Sequence, residues 1–133
     1  MNIEFVYLYR DGSNYKKHGR VVFSNTDQLT PELVGEALEK AFLTDGLFIA
    51  RQIRLPEVFL YSGGEFSCDD HCYHEFGSLR STLDVANDEQ GRSIGEFLVE
   101  VMTEAKRGWQ VFDPYDSQGS FGSFLALRLS VPL

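Results

Sequence analysis

The 133-residue chain predicts an α+β fold: a two-layer sandwich in which a mainly antiparallel sheet carries two helices on one face. Three features lead there. Segments alternating at period two are separated by polar turns, two other segments carry helix-capping signals, and each helix is apolar along a single stripe. The predicted order is ββαββαββ in one domain, 1–133, because a chain of this length has no room for two independent cores. Hydrophobic residues make up 43% against 24% charged, the balance of a packed globule that needs neither disulfide nor metal to fold.

The first strand is IEFVYLY (3–9), which places Ile3, Phe5, Tyr7 and Tyr9 on one face. A polar stretch, RDGSNYKKHG (10–19), leads to a second strand, RVVFS (20–24), so the pair reads as a hairpin with a long loop. The first helix opens with Thr30 as N-cap and Pro31 at its first position, and Leu29 can staple onto Val34. Leu33, Val34, Ala37, Leu38, Ala41 and Phe42 form its apolar stripe, and Gly46 stands where a helix stops. LFIARQIRLPEVFLY (47–61) is strand-like, but Pro56 cannot donate to a ladder, which makes it an edge strand or two strands meeting at a bulge.

After the turn SGGEFS (62–67), YHEFGSLRSTLDV (73–85) resumes alternation, with Leu79, Leu83 and Val85 on one face. His74, Ser78, Arg80, Thr82 and Asp84 fall on the other, wet face. ANDEQGR (86–92) is a loop. The second helix starts at Ser93 in a capping box, SIGE, and ends near Lys106 and Arg107 before Gly108. Phe97, Leu98, Val101, Met102 and Ala105 are its core stripe, with Glu96, Glu100 and Glu104 on the solvated side. WQVFD (109–113) reads as a short strand, the stretch from Pro114 to 123 as a Gly/Ser-rich loop, and FLALRLSV (124–131) as a closing strand.

The net charge of −8 is uneven. Residues 1–23 hold four bases and two acids, leaving eight bases and eighteen acids for the rest. This excess of acid disfavours nucleic acid as a partner and suits a basic protein drawn to an acidic surface. The opening MNIEFVYLYRDG has an acid at position 4 and reads as a strand, not a signal peptide, and no run approaches the length of a membrane span. Two cysteines without a secretory signal point to free thiols in the cytoplasm.

The densest chemistry is CDDHCYHEF (68–76), with Cys68, Asp69, Asp70, His71, Cys72, His74 and Glu75. A metal site built here would join these to His18, from the first hairpin, around a divalent transition metal. The plainer reading is a polar strand entrance in which an aspartate closes a turn and Glu75 pairs with a base. A Cys72–His74 dyad lacks an evident orienting group, and no nucleophile elbow or phosphate-binding glycine motif occurs, so no cofactor is predicted from motifs. The other unusual segment carries Arg10, Asn14, Tyr15, Lys16, Lys17, His18 and Arg20, the one basic patch in the chain. It suits an anion or a partner, or it docks onto the acidic segment. Docking gives both segments one explanation.

These two segments resemble the paired hallmarks of a family of short, functionally uncharacterised bacterial proteins bearing Y-R-D-x-x-N-Y-K and D-D-H-x-x-H-E-F. The matching positions are Tyr9, Arg10, Asp11, Asn14, Tyr15 and Lys16, then Asp69, Asp70, His71, His74, Glu75 and Phe76. The resemblance spans roughly the first 110 residues and implies no activity, only that the two loops work together. The expected function is a protein-interaction or regulatory module, immunity- or antitoxin-like in one form, with a metal-binding protein or metal-dependent enzyme as the alternative.

Overall fold

The computed structural model describes residues 1–61 and 67–114. A four-stranded antiparallel sheet has the order β2-β1-β4-β3, with β1 (Asn2–Arg10) and β4 (His74–Thr82) at its centre. β2 (Lys16–Phe23) pairs β1 along its full length, and β3 is only Leu47–Phe48. The hairpin is tighter than the sequence suggests, since the ladder already closes at Arg10↔Lys16. Ile3, Phe5, Tyr7 and Tyr9 are all buried on one face of β1, as its alternation requires.

That face is covered by α1 (Pro31–Ala41) and α2 (Ile94–Arg107). Phe97 of α2 stacks on Phe23 at 4.4 Å and meets Phe5 edge-on at 5.4 Å. α1 lies over β4, where Gly35 approaches Leu79. Both capping expectations hold. Thr30 accepts from the Leu33 N–H, and Ser93 and Glu96 make the reciprocal box, after which Gly108 ends α2 at φ 102°. α1 stops earlier than expected, at Ala41. Phe42 turns extended and stacks on Phe48 at 4.7 Å, and Gly46 closes a separate 3₁₀ turn, Thr44–Gly46.

Segment 47–61 is mostly not a strand. After β3 it forms a 3₁₀ turn, Ala50–Ile53, and leaves through Arg54 in the left-handed region. Its groups are taken up by α2 instead of a ladder. Gln52 donates to Glu104 and to the Gly108 carbonyl, and Arg54 grips Glu100 through two nitrogens. Glu100 and Glu104 are therefore docked, not solvated. Trp109–Asp113 has no ladder either; Trp109 donates to the Ala41 carbonyl and Gln110 to Gln52. The predicted loop from 115 and the strand 124–131 lie outside the described residues.

His74 is buried, contrary to the alternation read from the sequence. The register passes from Tyr7↔Phe76 to Val6↔Ser78, so Gly77 is the extra residue of a bulge. A Cβ there would sit 2.9 Å from the Val6 carbonyl oxygen. One added residue reverses the parity, and His74 and Phe76 join the core face that Leu79 shares further on. Leu83 and Val85 follow the end of β4 and are exposed. On the opposite face Glu4 is covered by Arg80 and Arg20, whose guanidinium groups hold its carboxyl below the usual carboxylate range.

Candidate functional site

The two unusual segments meet. The hairpin turn is built by Asp11, whose carboxylate accepts from the Ser13 and Tyr15 N–H groups, and by Asn14 at φ 70°. This turn lies against 67–73: the Gly12 N–H donates to the Asp69 carbonyl at 2.9 Å, and the Ser13 hydroxyl to the Asp69 carboxylate at 2.6 Å. A Cβ on Gly12 would come within 3.1 Å of Asp69 Oδ1, a tight approach that asks the carboxylate to give by a few tenths of an ångström. Arg10 bonds Glu75 at 2.9 and 3.3 Å and also donates to Asn14.

Tyr9 is the pivot of the joint. Its hydroxyl donates to Asp70 at 2.7 Å and accepts from the His71 N–H at 3.3 Å. Burial pushes the phenol above its ordinary pKa, and the Asp70 bond adds to the shift. The Tyr9→Phe variant should lose roughly 1–3 kcal/mol, because it strips both groups of a partner. Hydrogen exchange should quicken at 67–75; protection equal to wild type would show that the hydroxyl holds nothing.

The histidines are used differently. Nε2 of His71 bonds the Arg10 carbonyl at 2.7 Å and Nδ1 accepts from the Tyr73 N–H at 3.0 Å, so both ring nitrogens are engaged. His74 accepts from the Val58 N–H through Nε2 at 3.0 Å, while its buried Nδ1 has no partner. Its ring is enclosed by Phe59, Tyr9, Tyr7 and Phe48, at 4.6 to 6.3 Å between centroids. Burial, reinforced by the charges of His71 and Arg51, lowers its pKa from 6.5 to about 3, so it is neutral.

Cys68 is exposed and Cys72 buried, and both are free thiols. Burial pushes the Cys72 thiol upward, opposite to what a nucleophile requires, and it shares no hydrogen bond with His74. His18 sits exposed on β2 across from Leu8, while Glu75 pairs Leu8 from the other side. Among the described residues no three His, Cys, Asp or Glu side chains are grouped to hold a metal. The cluster joins two loops through Asp69, Asp70, His71 and Glu75.

Tyr15, Lys16 and Lys17 point into solvent and make no side-chain hydrogen bond or ion pair among the described residues. The docking thus rests on hydrogen bonds and the Arg10–Glu75 pair, not on the lysines. Glu4, Glu57, Glu75, Asp84, Asp88, Glu100 and Glu104 are paired with the chain's own arginines. Glu32, Glu36, Glu39 and Asp45, on α1 or the turn after it, are exposed and without an ion pair among the described residues, as are Asp27, Glu89 and Glu96.

Glu39 and Asp45 wall a groove whose floor includes Phe42, Leu43 and Phe76. This groove borders the outer edge of β4, which among the described residues has a strand neighbour only at His74 and Glu75. Sequence reasoning missed this surface. The neighbouring strand ends at Phe48 because the chain turns away through Ala50–Ile53, and no local sequence signal announced that turn. The chain matches no family model, no curated protein and no solved structure.

Proposed function

We propose that the protein is a non-catalytic, cytoplasmic interaction module that binds a basic protein segment in the groove between α1 and the β4 edge. The observation that carries this reading is an apolar groove with two acids on its wall, set against a strand edge. Glu39 and Asp45 line this groove, exposed and without an ion pair among the described residues, over Phe42, Leu43 and Phe76. From Phe76 onward this edge of β4 has no strand partner among the described residues and offers a template for an added strand, and the flanking acids select lysine or arginine on it. No helix among the described residues is long and apolar enough to cross a membrane.

Crosslinking at low salt should recover a basic protein. Its binding should fall at least about tenfold in the double variant Glu39→Lys/Asp45→Lys, a loss of about 1.4 kcal/mol or more. The single variant Lys16→Glu, on the other side of the sheet, should bind as wild type does. Equal recovery by the double variant, or no specific recovery by the wild type, rejects the reading.

A further inference from the structure

The flank of α1 that faces α2 presents a different surface. Leu33 is 59% exposed there, and Val99 and Met102 of α2 are 64% and 51% exposed. All three follow the seam between the helices, which run parallel. At one end a Cβ on Gly95 would touch Asp27 and Leu29; at the other Trp109, just past α2, bonds Ala41.

Charge is segregated along this seam. The hollow at its N-terminal end is walled by Asp27 and Glu96, over Leu29 and Leu98. The next hollow is walled by Lys40 and Lys106, with Glu36 beside them, over Leu33, Ala37 and Met102. None of these charges has an ion-pair partner among the described residues. Glu96 and Lys106 are ten positions apart in α2, or about 15 Å of helix.

Acids at helix starts and lysines at helix ends also suit the macrodipoles. That accounts for the signs, but not for the exposed leucine, valine and methionine between them. We infer that the seam is the interface between two copies of this chain, packed about a twofold axis perpendicular to the helices near Leu33 and Met102. Such an axis reverses the seam. Lys40 and Lys106 of each copy then face Asp27 and Glu96 of the other, and the apolar residues close on their counterparts. One stretch supplying both charge signs, at opposite ends of an apolar centre, is self-complementary; a uniformly basic helix would meet Lys40 and Lys106 with like charge. The interface lies on the opposite flank of α1 from the groove beside β4, so the two surfaces can be occupied together.

Sedimentation equilibrium of the full chain across micromolar to submillimolar concentration tests this. The expected result is a mass rising to twice 15.1 kDa, with a midpoint that moves to higher concentration as salt is added. Val99→Glu and Met102→Glu should each raise the midpoint at least about tenfold. Thermal unfolding of these variants at a concentration where the wild type is monomeric should match wild type, because both positions are exposed. Lys106→Glu should weaken association, and adding Asp27→Lys to it should restore it. A chain that stays monomeric overturns the inference, as does a dimer that survives both apolar substitutions or a double charge variant that fails to recover. None of these results bears on binding beside β4, which the Glu39 and Asp45 variants read separately.

Discussion

Arg92→Ala should cost roughly 3–5 kcal/mol of folding stability, the scale on which breaking one side of a buried ion pair is felt. Both side chains of the Arg92–Asp88 pair are almost fully enclosed, at 5% and 3% exposure. Arg92 also donates to the carbonyls of Ile53 and Arg54 at 2.8 and 3.1 Å, and its guanidinium lies 5.1 Å from the Phe97 ring centroid. Burial pushes the Asp88 carboxyl upward, and the Arg92 bonds more than offset it, leaving a net lowering. Without the guanidinium, the buried Asp88 carboxylate loses its ion pair and keeps only main-chain donors, two carbonyls lose a donor, and segment 50–55 loses its tie to the loop before α2. Arg92→Lys keeps the charge but not the fork, and should fall between wild type and Ala. Urea unfolding at neutral pH measures the difference; a loss under about 1 kcal/mol for Ala would mean that the clamp is not closed in solution.

The second large effect is a loss of stability in mild acid through His74. Its folded pKa of about 3 lies below the ordinary 6.5, so between those values the unfolded chain binds the extra proton. Stability is therefore full above pH 6.5 and declines as pH falls toward 3. Between pH 6.5 and 4.5 the loss should reach about 2–3 kcal/mol, at 1.36 kcal/mol per unit. Below about 4.5 the lowered carboxyls of Glu4, Asp88 and Glu100 add their own losses in the same direction, so the upper window isolates the histidine. His74→Gln keeps an acceptor for the Val58 N–H and does not titrate. Its stability should be lower at pH 7 but flatter across this window. Parallel curves for the two proteins would remove His74 as the source.

Local chemistry made much of this architecture readable. Thr30 with Pro31, and Ser93 with Glu96, place the starts of α1 and α2, because a helix start is decided within four residues. The alternation of Ile3, Phe5, Tyr7 and Tyr9 puts β1 in the core. The meeting of the hairpin turn with 67–75 was also legible, from a basic segment and an acidic one that neutralise each other best at a single place. Its details were not. The lysines stay out of the joint, and a tyrosine hydroxyl makes as many bonds across it as the one ion pair does.

The sequence by itself determined the elements whose signals lie within a turn or a strand: two capped helices, one hairpin and a one-sided sheet. Tertiary structure alone decided which polar groups are hidden. One bulged glycine at 77 turned His74 inward, and a two-residue β3 left the β4 edge open. Arg54 and Arg92, distant in sequence from each other, sealed the acids of α2 and its preceding loop. Such outcomes depend on register and on contacts between segments tens of residues apart, and neither is written in local periodicity.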